Sequence, residues 1–419
     1  MKKNFYFKCL MVATMLCIPL LKSWAQNIGI ATVADLRGIG IDTDKPMNGS
    51  YVLLNDIDLS GVTDWVPIGM NTGHAFSGAG KTLTNFAGTF DGQKHAIKNL
   101  TYTFDGTYTG AFTTDELTGG IFGRISGTVK NLELKNLKIT GNCAGALTAA
   151  LAPSTIDNVS VIGCTISGGS EVGGVSGRTN NNNQVVKNCY IDQTTKISGG
   201  TKVGGFVGNI GQAIALNLTN CYMAATVEGT GARTVYGLVG DIATPTNPGN
   251  MVLNAVFVMA RAAGGTTLEP FTPDVGSTAG TGIMAGSSYY ACKDYFPSVA
   301  DTAAVSLSAL QKKVTYTDAG WDFDTVWQIT EGKFPIFKWQ TYTGINLVKA
   351  GPLYNVTGVN NRIDVTVSEP LRLSVYDVAG KTLFVNQVKT QVSIPANRGI
   401  YILKASSSGN EDVRKIIVR

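Results

Sequence analysis

The chain is poor in the side chains that do most protein chemistry: of its 419 residues only two are histidines, His74 and His95, and 15% are charged. That leaves little room for histidine triads or histidine metal sites. The zinc-peptidase signature His-Glu-x-x-His is absent. There is no Cys-x-x-Cys pair and no cysteine close to a histidine, so zinc-ligand spacing is missing too. Beyond the leader, no apolar run reaches the roughly 18 residues needed to cross a bilayer, and no transmembrane span is expected in the mature chain. Nor is there a surplus of one charge. The formal net charge of +5 includes Lys2, Lys3, Lys8 and Lys22, and 34 basic residues less these four stand against 29 acidic ones. A nucleic-acid partner is therefore not expected.

What is present begins with export. A positive start at Met1-Lys2-Lys3, an apolar stretch from Cys9 to Leu21 and the small residues of Ser23-Trp24-Ala25 read as a cleaved signal peptide over 1–25. Without Cys9 and Cys17, five cysteines remain: Cys143, Cys164, Cys189, Cys221 and Cys292. An odd number in an exported chain leaves at least one free thiol. They read as small buried apolar residues; the alternative is a disulfide between Cys189 and Cys221, which share a repeat position.

Fifty glycines with 44% hydrophobic residues indicate short strands with tight corners, and the glycines are periodic. Gly119-Gly120-Ile121-Phe122-Gly123 recurs at Gly173–Gly177, Gly204–Gly208 and Tyr236–Gly240, with a degenerate copy at Ala144–Thr148. The second positions, Gly120, Gly145, Gly174, Gly205 and Gly237, are 25, 29, 31 and 32 residues apart. An asparagine marker runs in phase: Asn131, Asn158, Asn188, Asn220 and Asn254. After it, Leu132 and Leu134 alternate with Glu133 and Lys135, the period of a half-buried strand.

A unit of this size cannot bury its apolar side alone and must stack. The expected fold is all-β: a right-handed parallel β-helix (solenoid) followed by a small antiparallel β-sandwich. Asparagine amides are expected to form a ladder bonding backbone groups of adjacent turns. Thr32 to Leu36 reads as a helical turn, and Ser306 to Lys312 as a short helix capped by Ser306 or Ser308, together capping a body over 26–345. A linker over 346–361 then leads to a sandwich over 362–419, with strands at Leu371–Tyr376, Lys381–Val388, Gly399–Ala405 and Val413–Val418.

The glycine motifs resemble the GLUG repeat of bacterial surface proteins, many from the Bacteroidetes. Tyr51–Leu59, Trp65–Gly69, Gly88–Gly92, His95–Leu100, Trp321–Phe323 and Phe334–Phe337 follow the order of that family over about residues 30 to 340. The resemblance implies a right-handed β-helix at a cell surface and no particular substrate. Val375–Lys381, Gly399–Lys404 and Lys415–Arg419 resemble the C-terminal (Por) sorting domain of the type IX secretion pathway, which implies a transport signal that engages the secretion machinery.

No catalytic, cofactor or metal residue is assigned. Pectinase-like hydrolases need a carboxylate cluster, and their Asp-Asp, Gly-His-Gly and Arg-x-Lys sets are missing. Asp56, Asp58 and Asp91 could be imagined in a lyase, but they read as strand and turn residues, and His95 as structural. Tyr102, Phe104, Tyr108 and Phe112, or Tyr289, Tyr290, Tyr295 and Phe296, could form a sugar-stacking platform or belong to the core. The expected function is an exported cell-surface or secreted adhesin-like protein binding glycan or protein ligands; the alternative is a carbohydrate-active β-helix enzyme, a polysaccharide lyase or hydrolase.

Overall fold

The computed structural model describes residues 27–70, 84–103, 117–179, 184–211, 216–230, 234–242, 251–272, 286–342, 354–359, 361–367, 370–407 and 410–418. Two compact units result: one runs through Val305 and includes Ala319–Trp321, the other holds Ser306–Asp318 and Asp322 onward. The leader over 1–25 and His74, Phe104, Tyr108 and Phe112 lie outside the described residues.

The first unit is a parallel β-solenoid with sheets of 15, 10 and five strands, here the first, second and third sheets. One coil shows the path. Ser154–Ile162 lies in the first sheet, Thr165–Gly173 in the second and Ser176–Thr179 in the third. Gln184 then returns to pair in parallel with Ser154. Register stacks like on like: Tyr51, Phe90, Val129, Ile156, Val186, Leu218 and Leu253 form one column of the first sheet. All seven are buried, and each such side chain contributes roughly 1.5–3 kcal/mol of hydrophobic stabilisation.

The two sequence markers do different work. At the second motif glycine a side chain would strike the next coil: a Cβ on Gly205 would lie 2.0 Å from the Gly237 carbonyl oxygen, and one on Gly237 2.4 Å from that of Pro270. Close approach, rather than positive φ, fixes glycine at both positions. The left-handed backbone belongs to the asparagines, with φ of 52°, 55°, 50° and 51° at Asn131, Asn158, Asn188 and Asn220. Asparagine tolerates this region better than most L-residues.

Two expectations are corrected here. The amides bond other side chains, not backbone: Asn158 Nδ2 donates to Asn131 Oδ1 at 3.2 Å, Asn131 to Asp91 Oδ1 at 3.0 Å, and Asn188 to Asp157 Oδ1 at 3.0 Å. Asn254 is not in the column. It pairs with Thr219, so the fifth left-handed residue is Ala255, at φ 53°. A second ladder, unread in the sequence, runs through Asp58, Asn99 and Asn136. Because φ is positive at Asn188, Asn188→Gly should destabilise less than Asn188→Ala by about 1 kcal/mol, the reverse of the usual order. Urea midpoints of the two variants check this.

At the solenoid's start, Thr32 caps the helix Val33–Gly38 in a reciprocal capping box with Asp35, satisfying amides that a helix N-terminus leaves open. Trp321 lies over Tyr222 and Phe257 and donates its indole N–H to the Ala255 carbonyl at 3.1 Å.

In the second unit Ser306 caps the helix Leu307–Leu310, which precedes Lys313–Thr317. These helices, read from sequence as part of the body, thus group with the C-terminal residues. The sandwich has a four-stranded antiparallel sheet of Leu371–Asp377, Thr382–Val388, Gly399–Ser407 and Asn410–Val418. Opposite it are Tyr354–Val359, Arg362–Val367 and Gln391–Pro395. The stretch read as a linker over 346–361 therefore supplies a strand, Tyr354–Val359, paired from Tyr354↔Val367 to Val359↔Arg362.

Candidate functional site: charged and aromatic columns of the solenoid

The aspartates considered for a lyase serve as corner anchors. Asp56 accepts the Ala96 amide at 3.0 Å and faces Lys98 Nζ at 3.1 Å and His95 Nδ1 at 3.4 Å. Burial pushes its carboxyl up, but the Ala96 amide and Lys98 outweigh this and hold it below the usual range. Asp58 is lowered by the Ser60 amide, at 2.9 Å, and by Asn99. Asp91 accepts the Gln93 amide at 2.9 Å and faces Lys130 at 3.4 Å. Asp58 and Asp91 are thus held by a local turn and a neighbouring coil, and Asp56 by the neighbouring coil alone.

Cys143, Cys164, Cys189, Cys221 and Cys292 form no disulfide among the described residues, and all five are buried. Burial pushes the Cys143 and Cys189 thiols well up and those of Cys164 and Cys292 to about 12 and about 11. None of these four is a thiolate at neutral pH, and the thiolate is the reactive form.

The aromatic groups divide. Tyr289 packs edge-on to Phe271, Tyr290 stacks on Phe257 at 4.8 Å, and Phe296 is buried. The stronger feature is one that sequence reading missed. Tyr190, Tyr222, Phe257 and Tyr290 occupy successive coils in register. The neighbours on either side of the first three, such as Cys189 and Ile191, belong to the solenoid core, so this column stands on the opposite face of the first sheet.

A second missed feature is a half-buried charge column. The residue after the last glycine of each full motif stacks in the third sheet, Arg124, Arg178, Asn209 and Asp241, with Ala150 of the degenerate copy between the first two. Glu171 of the second sheet, 6% exposed, meets it. Its carboxylate lies 3.3 Å from Arg178 Nε and 3.7 Å from Lys202 Nζ, and accepts Asn209 Nδ2 at 2.7 Å; Lys202 continues to Asp241 at 3.0 Å. Aligning the glycine motifs and reading one position further would have exposed the column. The two sheets come this close because the last motif glycine faces backbone: a Cβ on Gly208 would lie 2.4 Å from the Val172 amide nitrogen.

Burial outweighs the Asn209 hydrogen bond and Lys202, raising the Glu171 carboxyl above its ordinary 4.5. The folded state then holds this proton to higher pH than the unfolded chain. Its contribution is fully present below 4.5 and is lost as pH rises through the raised value. Asp56 and Asp58, being lowered, contribute oppositely, above their ordinary 3.8. Subtracting the pH–stability profile of Glu171→Gln from that of the parent should leave a component that declines from about pH 4.5 upward; a flat difference would contradict the assignment.

Among the described residues, no group of three His, Cys, Asp or Glu is placed to hold a metal ion. No helix there is long and apolar enough to cross a membrane.

Comparison with known proteins places the tail. Residues 358–419 match the secretion system C-terminal sorting domain. The chain is therefore a β-solenoid protein exported through type IX secretion to the cell surface or extracellular space. It is 29% identical over 171 residues to halomucin of Haloquadratum walsbyi, covering 40% of this chain and 2% of that protein. A crystal structure of a Bacteroides ovatus protein, described as a candidate immunoglobulin A1 protease, aligns at TM-score 0.44 and 18% identity, covering 75% of this chain and 93% of the other.

Proposed function

We propose that the protein is an adhesin-type surface protein whose GLUG-type solenoid, of Bacteroidetes kind, binds glycan or protein ligands along its lateral faces. On this reading the signal peptide over 1–25 starts export and the sorting domain completes it. The observation that carries the proposal is a sorting domain joined to a solenoid whose carboxylates Asp91, Asp157, Glu171 and Asp241 are engaged in ion pairs between coils. A repetitive scaffold of this kind offers long parallel rows of side chains, which suits binding to an extended or multivalent surface. The enzyme alternative would draw on Glu171, the carboxylate with a raised pKa. That group is enclosed by Arg178, Lys202 and Asn209, which favours a brace between sheets over contact with a substrate. The test is adherence: cells displaying the whole chain should bind glycan- or host-protein-coated surfaces, and cells displaying the sorting domain alone should not. Equal adherence by both would refute the proposal.

A further inference from the structure

We infer that the outer face of the second sheet binds an acidic polysaccharide laid along the solenoid axis, a deepening that rests on the binding function proposed above. One column of that face reads Thr101, Lys138, Thr165, Lys196, Thr226 and Arg261. A hydroxyl and a cation alternate, coil by coil. The column beside it reads Thr103, Thr140, Ser167 and Ser198, and its hydroxyls touch across coils, with Thr140 and Ser167 2.9 Å apart. Between the columns Ile139, Ile166, Ile197 and Val227 turn into the core, which fixes the polar residues outward. Lys138 and Lys196 are both exposed.

The charges distinguish this face from the first sheet. There the lysines alternate with aspartates of adjacent coils, Lys130 with Asp91 at 3.4 Å and Lys187 with Asp157 at 3.2 Å, so the face is self-neutralised. Neither Lys138 nor Lys196 has a carboxylate at salt-bridge distance among the described residues. The acid in the second column, Glu228, sits in the next coil with its carboxylate toward the Gly264 corner. Arg261 is tied to the Gln193 carbonyl at 2.7 Å.

Adjacent coils are about 4.8 Å apart, so the ammonium groups of Lys138 and Lys196 recur at about 10 Å. That step suits a polymer of alternating sugars in which every second ring carries a carboxylate or sulfate, with threonine and serine hydroxyls meeting the ring hydroxyls between. Duplex DNA carries a charge for about every 1.7 Å of its axis, a density that two widely spaced cations do not match.

The test uses the whole exported chain on immobilised polygalacturonate, chondroitin sulfate, uncharged dextran and duplex DNA, at low and at physiological salt. The expected result is binding to an acidic polysaccharide that weakens with salt, with little binding to dextran or DNA. Lys138→Gln with Lys196→Gln should weaken it about fivefold. Lys130→Gln with Lys187→Gln should leave it unchanged, and thermal unfolding verifies that both variants fold. Unchanged affinity in the first pair, or DNA bound as well as the polysaccharide, overturns the inference. Binding to dextran alone, or to protein-coated surfaces alone, overturns it and leaves the adhesin reading standing. Adherence that is also independent of the solenoid removes both.

Discussion

Deleting residues 358–419 keeps the chain off the cell surface and out of the medium in a cell that carries the secretion machinery. These residues match the sorting domain, and they lie almost wholly within a sandwich with its own core of Ile363, Val365, Leu373, Val375 and Leu403. Surface exposure should fall from nearly all of the mature protein to essentially none. A point substitution should reproduce the deletion if the folded sandwich is what the machinery engages. Leu403 is fully buried in the strand Gly399–Ser407, paired on both sides by Leu371–Asp377 and Asn410–Val418. Leu403→Asp would bury an unpaired carboxylate at a cost above about 4 kcal/mol, more than a small sandwich can spare. Protease shaving of intact cells with fractionation checks both variants, and continued surface exposure of the deletion would sink the assignment.

The second large effect falls on the solenoid. Gly205→Val would place a branched side chain where a Cβ alone meets the Gly237 carbonyl oxygen at 2.0 Å and Met223 at 2.4 Å. Met223 can move, but the backbone of the next coil cannot move without breaking the register of neighbouring strands. The expected loss exceeds about 4 kcal/mol, beyond ordinary overpacking, and should appear as a melting temperature lower by roughly 10 °C or more. Gly61 provides the control, since nothing lies within 4 Å of a Cβ there and its φ is not positive. Gly61→Ala should therefore leave the melting temperature within a few degrees of the parent. Circular dichroism melts decide the matter; similar melting for the two variants would remove the steric account of the glycine repeat.

The same contacts explain what could be read from sequence. Coils were legible because their corners have strict demands: Gly205 is fixed by the next carbonyl, and Asn188 by a left-handed backbone with an acceptor in reach on Asp157. Leu253-Asn254-Ala255 misled because it repeats the marker's letters one residue out of register. The pairing of Asn254 with Thr219 is a long-range fact that no local pattern carries. The charge column escaped for a related reason. Arg124, Arg178, Asn209 and Asp241 are dissimilar side chains, and nothing local announces that Glu171 from another sheet will meet them. Their common position after the motif glycine was visible, but its consequence depends on how closely the sheets pack. In the sandwich the four-stranded sheet was read nearly strand for strand. The hairpin Tyr354–Val359 and Arg362–Val367 was missed in part because Asn355 and Gly358 dilute the strand signal.

The aspartates show the limit of reading function from residue types. Asp56, Asp58 and Asp91 are the carboxylates a lyase reading would use, yet each is held by a partner from a neighbouring coil, and Asp58 and Asp91 by a turn amide as well. What distinguishes an anchor from a catalytic acid is the set of donors around it, and the donors from the neighbouring coil lie about 40 residues away in the chain.

The most direct measurement of the central claim is a glycan-array screen of the purified exported chain, followed by incubation with each polysaccharide that binds and assay for new reducing ends or unsaturated products. The account predicts binding without turnover. Release of new ends at a rate that grows with protein concentration would contradict it and make the solenoid a carbohydrate-active enzyme.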